Sequence, residues 1–248
     1  MKGKATGEKL HKVLARAGFG SRRALEGWIA AGRVRVNGAA ATVGMRVGAD
    51  DRIDVDGKRV DRRRLGPANV RVLRYHKPEG EICSRRRDSD RRSVFDALPR
   101  LKSGRWIAVG RLDVNSSGLL LFTNDGPLAH RLMHPSSGLE REYAVRVRGP
   151  VSEQSMQALL SGVRLDDGPA KFDSIVAKGG QGANTWYHVT LKEGRNREVR
   201  RLWASQGAQV SRLTRVRYGP MTLPRRLPRG RWEELSKDEV AKLCNAVL

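Results

Sequence analysis

The run Leu119-Leu120-Leu121-Phe122-Thr123 places apolar residues on both alternate sets of positions. A strand with one wet face would alternate, so this pattern predicts a strand buried on both faces of a sheet. Val70 to Tyr75, Glu142 to Arg148, Phe172 to Val176, Trp186 to Leu191 and Val210 to Tyr218 read as further strands. Helices are expected over 127–134, with Pro127 in the first turn, over 152–161, and over 196–206. A last helix opens with the capping box Ser236 to Glu239 and carries Val240, Leu243, Cys244 and Val247 on one stripe. Strands with helices interspersed predict an α+β fold around a mixed or antiparallel sheet.

The first 64 residues follow a different pattern. Leu10, Val13, Leu14 and Ala17 recur at helical spacing and stop at Gly18. Ser21 is placed to cap a second helix carrying Leu25, Trp28 and Ile29, which ends at Gly32. Arg33-Val34-Arg35-Val36 then alternates into Asn37-Gly38, a hairpin turn signal, and Arg52-Ile53-Asp54-Val55-Asp56 alternates before Gly57. The stretch from Asp61 to Asn69 has neither period and contains Gly66-Pro67. The expected organisation is a small domain over 1–64, a linker over 65–69 and a larger domain over 70–248.

Charge says what kind of partner such a chain needs. Lys and Arg number 49 against 26 Asp and Glu, a net charge of +23. Residues 1–64 hold 16 basic and 7 acidic side chains, net +9, about twice the density of the remainder. Lys9, Lys12, Arg16, Arg22, Arg23, Arg33 and Arg35 fall on the faces left after the apolar positions are buried. Each alone reads as a solvated charge; clustered, they repel unless a polyanion neutralises them. Arg212, Arg215 and Arg217, with Arg225, Arg226, Arg229 and Arg231, extend the expected basic surface.

Other classes are excluded. No window approaches eighteen apolar residues, and Met1 to Glu8 lacks the apolar core of a signal peptide, so a cytoplasmic protein without membrane partners is expected. Cys83 and Cys244 are too few for a zinc site, and Arg131, between His130 and His134, stands where a zincin has Glu. No metal is expected. Gly179-Gly180-Gln181-Gly182 lacks the spacing of a phosphate loop and reads as a surface loop, and Ser116-Ser117-Gly118 lacks the glycine of a nucleophile elbow.

The remaining candidate is the segment Gly110-Arg111-Leu112-Asp113-Val114-Asn115-Ser116-Ser117-Gly118, which sets a carboxylate in a loop just ahead of the buried strand. Glycines on either side allow another backbone or a nucleotide to approach closely. By spacing alone an Asp before Asn-Ser-Ser-Gly is more often a turn residue than a catalyst.

Gly110-Arg111-Leu112-Asp113, followed by Gly118-Leu119-Leu120-Leu121 and Thr123-Asn124-Asp125-Gly126, resembles the signature of the pseudouridine synthases that modify ribosomal RNA. Tyr75-His76-Lys77-Pro78-Glu79-Gly80 resembles their first motif, with His76 where Asn is commoner, and Glu140 to Val145 resembles their tyrosine strand. Glu193-Gly194-Arg195-Asn196-Arg197-Glu198-Val199-Arg200-Arg201-Leu202-Trp203 resembles their arginine motif, with Glu198 where Gln is usual. The first 64 residues resemble the alpha-L RNA-binding domain, through Leu10 to Gly18, Ser21-Arg22-Arg23 and Gly32 to Gly38.

The resemblance implies a pseudouridine synthase catalytic domain with a mixed, mainly antiparallel sheet behind an alpha-L domain, acting as an isomerase on a specific uridine of large-subunit (23S) ribosomal RNA, free or in an assembly intermediate, without a cofactor. It implies Asp113 as the catalytic carboxylate, Tyr143 as the residue that stacks on the flipped uracil, and Arg200 as the cation that keeps Asp113 ionised, with Arg197 as second choice on the same side of a short helix. Arg111, Leu112, Lys77, Arg195 and Arg197 are the expected substrate-binding residues, Lys77 in a structural or RNA-backbone role. The seven basic residues of the first domain are expected to bind RNA, and a monomer is expected. Two rival readings keep the charge pattern: the same reaction on small-subunit (16S) RNA, and a non-enzymatic assembly factor with an idle synthase fold.

Overall fold

The computed structural model describes residues 7–61, 65, 69–85, 90–149, 151–181 and 183–248. They form two compact units, the first running to Val70 and including Pro99–Ile107 and Asn124–Gly126. Of the expected linker, Leu65 and Asn69 are described and residues 66–68 lie outside the described set.

In the first unit, helices α1 (Leu10–Arg16) and α2 (Arg22–Ala30) pack over short strands β1 (Glu8–Lys9), β2 (Val34–Val36), β3 (Ala39–Ala40), β4 (Arg46–Val47), β5 (Ile53–Val55) and β6 (Lys58–Arg59). The Ser21 hydroxyl accepts the Ala24 N–H at 3.1 Å, the cap expected of it. Asn37 and Gly38 take φ of 52° and 86°, the two left-handed residues that a tight hairpin between β2 and β3 requires. Asp56 and Gly57 do the same between β5 and β6, at 50° and 76°. Leu10, Leu14, Leu25, Ile29, Val34 and Ile53 form the centre of this unit's core.

The large sheet contains β7 (Val72–Lys77), β8 (Ile107–Val109), β9 (Ser117–Thr123), β10 (Arg141–Arg148), β13 (Ser174–Gln181), β14 (Asn184–Leu191), β15 (Gln209–Tyr218), β16 (Met221–Thr222) and β17 (Trp232–Glu234), with a separate hairpin of β11 (Val163–Leu165) and β12 (Gly168–Ala170). Its order is β13-β14-β10-β15-β9-β7-β17, with β16 on β15 and β8 on β9. The β15–β9 pair is parallel and the other registered pairs are antiparallel, so the sheet is mixed and mainly antiparallel. Every residue of β9 is buried, as its unbroken apolar run requires. On β10 the alternation is strict, with Arg141, Tyr143, Val145 and Val147 buried between more exposed neighbours.

Helices α3 (Gly126–Met133), α4 (Glu153–Ser161), α5 (Glu198–Ala204) and α6 (Lys237–Asn245) complete the chain. Both halves of the Ser236–Glu239 capping box form at the start of α6. From α5, Trp203 packs against Tyr187, with ring centroids 4.9 Å apart, and Phe172, at 5.9 Å. Two expectations are corrected. Of the expected loop over 179–182, the glycines at 179 and 180 belong to β13, at an irregularity in its pairing with β14, and Gly182 lies outside the described residues. The helix expected over 196–206 is shorter, because Arg197 is left-handed, with φ of 49°, and only Glu198–Ala204 is helical.

The parallel pair brings β9 and β15 unusually close. Gly118 lies opposite Arg215 with φ of 111°, and a Cβ on it would meet the Arg215 carbonyl oxygen at 2.3 Å and its nitrogen at 2.5 Å. Backbone cannot move aside as a side chain can. Gly118→Ala is expected to destabilise by about 3 kcal/mol and lower the Tm by roughly 6–12 °C in a thermal melt. An unchanged Tm would mean that the strands are not this close.

Candidate active site

A cavity of about 1030 Å³ opens in the second unit. Its walls are the loop Gly110–Ser116, Arg141 and Tyr143 from β10, the loop 192–197 with the start of α5, and Leu213, Arg215 and Tyr218 from β15.

The Asp113 loop is held from behind. Lys77, on β7, is completely buried, and its ammonium donates to the carbonyls of Pro78 (3.0 Å), Asp113 (3.0 Å) and Ser116 (2.9 Å). Burial pushes the Lys77 pKa down, against the opposing pull of Cys83, Glu81 and Asp113. The Cys83 thiol donates to the Leu112 carbonyl at 3.3 Å. Arg200, on α5, donates from Nη2 to the Asn115 carbonyl and from Nη1 to the Val210 carbonyl, both at 2.8 Å. Side chains from three other segments therefore grip the carbonyls of residues 112, 113, 115 and 116. Among the described residues, the Asp113 carboxylate itself has no hydrogen-bond or ion-pair partner. A fixed backbone with an uncommitted carboxylate is the arrangement that positions a reacting group without neutralising it.

The facing walls are held in the same way. Arg141 is buried and donates to the carbonyls of Leu139 and Glu193, each at 3.2 Å, and to that of Lys192, which fixes the start of the 192–197 loop. The Arg141 and Arg215 guanidinium groups lie 5.0 and 5.2 Å from the Tyr218 ring centroid. Arg195 is fully engaged by Glu193 (2.7 Å), Glu198 (3.2 Å), Asp167 (3.1 Å) and the Pro169 carbonyl (2.6 Å). Burial raises the Glu198 pKa, with the Arg195 backbone N–H opposing it. Arg197 follows in left-handed conformation, and its exposed guanidinium has no partner among the described residues.

With this geometry in place, a family model decides the matter. Residues 71–205 match RNA pseudouridylate synthase. The chain belongs to the RNA pseudouridylate synthase family. Residues 8–53 match the S4 domain, which is the alpha-L module expected ahead of a synthase of this kind. The chain is 58% identical over 242 residues to the ribosomal large subunit pseudouridine synthase B of Pseudomonas aeruginosa, spanning 97% of this chain and 63% of that protein's length. It is 59% identical over 230 residues to the Salmonella typhi protein of the same name, covering 92% and 79% of the two chains. A crystal structure of a pseudouridylate synthase covers 95% of this chain and 99% of its own, at 26% identity and a TM-score of 0.65.

Against this pseudouridylate synthase framework the expected site residues divide. Asp113, Tyr143, Arg111, Leu112, Arg195 and Arg197 all line the cavity. Lys77 does not, and its expected substrate contact is corrected: its three carbonyl bonds leave it no free donor toward RNA. Arg195 lines the wall, but two carbonyls and three carboxylates occupy it, so its role is to shape the loop. Arg200 forms no direct ion pair with Asp113 here; it holds the loop by the Asn115 carbonyl and acts on the carboxylate as a nearby charge. Arg197 is not on the helix beside it.

In the first unit, Lys9, Lys12, Arg22, Arg23 and Arg35 are exposed and free of ion pairs among the described residues. Arg16 is committed to Glu8 (2.6 Å) and the Leu65 carbonyl (2.9 Å), and Arg33 to Asp56 through two bonds of 2.8 and 2.6 Å, so both are corrected as free cations. In the late strand, Arg217 is paired with Glu140 and Glu142, each at 3.0 Å, and Arg215 is buried in the cavity wall rather than part of the basic surface. The buried arginines 141 and 215 are the site residues that sequence reasoning missed. Their signal was phase: Arg215 is two residues from Leu213, and Arg141 two from Tyr143, on the buried set of each strand.

Proposed function

We propose that this chain isomerises uridine to pseudouridine in large-subunit (23S) ribosomal RNA, with Asp113 as the catalytic carboxylate. The observation that carries the reading is that carboxylate: on a residue that lines a large cavity, unpartnered among the described residues, on a loop whose carbonyls are clamped. In the reaction the C1′–N1 bond breaks, the base turns, and a C1′–C5 bond forms as C5 loses its proton and N1 gains one. No atom is added and no oxidation state changes overall, so the chemistry requires no cofactor. A carboxylate suits it, by adding covalently to the nucleotide or by stabilising positive charge at the anomeric carbon, as glycosidase carboxylates do.

Tyr143, in the wall facing this loop, supplies an aromatic face for the extruded uracil, and Leu213 an apolar one. Extruding a base from folded RNA costs about a few kcal/mol, offset by stacking and phosphate contacts. Arg111 and Arg197, both exposed at the cavity, are placed to take phosphates, and Lys9, Lys12, Arg22, Arg23 and Arg35 give the S4 unit a charged surface for RNA. The names of the close relatives favour large-subunit RNA over small-subunit RNA. In the test, purified protein and a chelator are incubated with transcripts of each subunit's RNA, and pseudouridine is measured by a product-specific chemical assay. The expected result is product in the 23S transcript alone. Product only in the 16S transcript would transfer the activity to the other subunit, and none in either, with RNA still bound, would favour the non-enzymatic assembly factor.

A further inference from the structure

One face of the large sheet is open. Tyr143, Tyr187, Leu213 and Arg215 face the cavity or α5, and the residues that alternate with them on β10, β14 and β15 point the other way and are partly or fully exposed. The pairing sets Trp186 of β14 directly opposite Arg146 of β10, and Arg146 directly opposite Arg212 of β15, so the three side chains form a row across that face. Arg148 follows two residues along β10, about 7 Å further on. Val176 of β13, 47% exposed, stands on the same face opposite His188.

The charges of this row have no counterpart. Among the described residues, the side chains of Arg146, Arg148 and Arg212 make no ion pair or hydrogen bond. The one acid on this face of the three strands is Glu142, and His188 (2.7 Å) and Arg217 (3.0 Å) already occupy it. Two arginines directly opposite each other on a sheet repel. The bulge at Ser211, whose hydroxyl donates to the Arg146 carbonyl at 3.0 Å, fixes that juxtaposition. Trp186 ends the row. Its indole N–H has no partner among the described residues, and the edge strand beside it breaks register at Gly179 and Gly180, which carry no side chains to cover the ring.

We infer that this open face is a second RNA site, on which a base of an unpaired stretch stacks on Trp186 while Arg146, Arg148 and Arg212 take the neighbouring phosphates. The chemistry of the row selects the occupant. An acidic peptide would satisfy the arginines but has no use for the ring, whereas every residue of a nucleic acid offers a flat base and a phosphate. Stacking on an aromatic side chain flanked by cations is how single strands are held; a duplex hides its base faces. The chain's family acts on RNA, so such a strand is at hand whenever substrate is. The row lies on the opposite side of the sheet from Tyr143 and Asp113, so the nucleotides it takes are remote from the one in the cavity. The inference therefore does not rest on the isomerisation reading.

The test uses the full chain and an oligoadenylate of about 12 nucleotides, which is single-stranded and carries no uridine to convert. Binding is followed by the anisotropy of end-labelled RNA over a salt series and by quenching of tryptophan fluorescence. Trp186→Leu is expected to weaken binding about tenfold and to remove most of the quenching, while Trp186→Phe, which keeps a ring, stays within about threefold of the parent. Arg146→Gln combined with Arg212→Gln is expected to weaken binding about tenfold and to reduce the slope of log affinity against log salt by about 1.4, the counterion release of two phosphates on a single strand. These two arginines hold nothing in place, so the double variant carries the test even if Trp186→Leu does not fold. Unchanged affinity in the double variant would overturn the inference, as would equal losses for Trp186→Phe and Trp186→Leu. So would a polyglutamate peptide of equal charge that displaces the RNA as well as unlabelled oligoadenylate does, since the face would then recognise an acidic protein segment. A chain that binds oligoadenylate through this row yet makes no pseudouridine would count against the functional reading alone and leave the second site standing.

Discussion

Asp113→Asn is expected to reduce pseudouridine formation by about 10⁴-fold or more while leaving the fold and RNA binding intact. The size follows from the chemistry, because an amide neither adds to a nucleotide nor balances positive charge at an anomeric carbon. That the effect is confined to catalysis follows from the structure. The Asp113 side chain holds nothing in place among the described residues; the loop is gripped through its carbonyls, which Asn leaves untouched. The Tm is therefore expected to stay within about 1 °C. RNA affinity, measured in parallel, is expected to hold or rise slightly, since a negative charge beside the phosphates is removed. Turnover within tenfold of the parent would show that Asp113 is only a turn residue.

Lys77→Met tests the clamp. The substitution removes the donor from three carbonyls and leaves them buried, but it also relieves the cost of burying an ammonium, which is why the net loss of stability is expected at about 2 kcal/mol rather than more. Activity is expected to fall further, by about 10²–10³-fold in kcat, because displacing a reacting group by about 1 Å costs roughly 10²-fold. RNA affinity should change little, since Lys77 does not reach the cavity. The stability difference also has a pH signature. The Lys77 pKa is lowered in the folded chain, so between that value and the ordinary 10.5 the unfolded chain holds the proton that the folded chain has lost. The parent's advantage over Lys77→Met therefore grows as pH rises through that window. Loss of affinity with unchanged kcat would return Lys77 to a role in binding RNA.

Much of this was legible in the sequence where local physics decides. Asn37-Gly38 fixed a hairpin because both residues tolerate positive φ, Ser21 and Ser236 capped helices as expected, and the unbroken apolar run of β9 marked the sheet's buried centre. Asp113 was legible as a candidate through its motif. What was not legible is which partner each cation chooses. Lys77 and Arg195 carry charges that read as contacts for RNA and Arg200 one that reads as the partner of Asp113, yet each is turned toward backbone carbonyls or carboxylates, several of them brought near by the tertiary fold. The β11–β12 hairpin illustrates this: its Asp167 takes both Arg195 and Arg201, from a segment some thirty residues away, and nothing local announces that meeting. Arg215 was misplaced on the surface for the converse reason, since its charge outweighed a strand phase that pointed inward.

The central claim is that this one carboxylate converts a uridine of large-subunit RNA. The most direct measurement is a pseudouridine map of ribosomal RNA from cells lacking this protein, complemented either by the parent chain or by Asp113→Asn. The account predicts that a 23S modification disappears and returns with the parent chain but not with the variant. Its return with Asp113→Asn, or a 23S map identical with and without the protein, would contradict it.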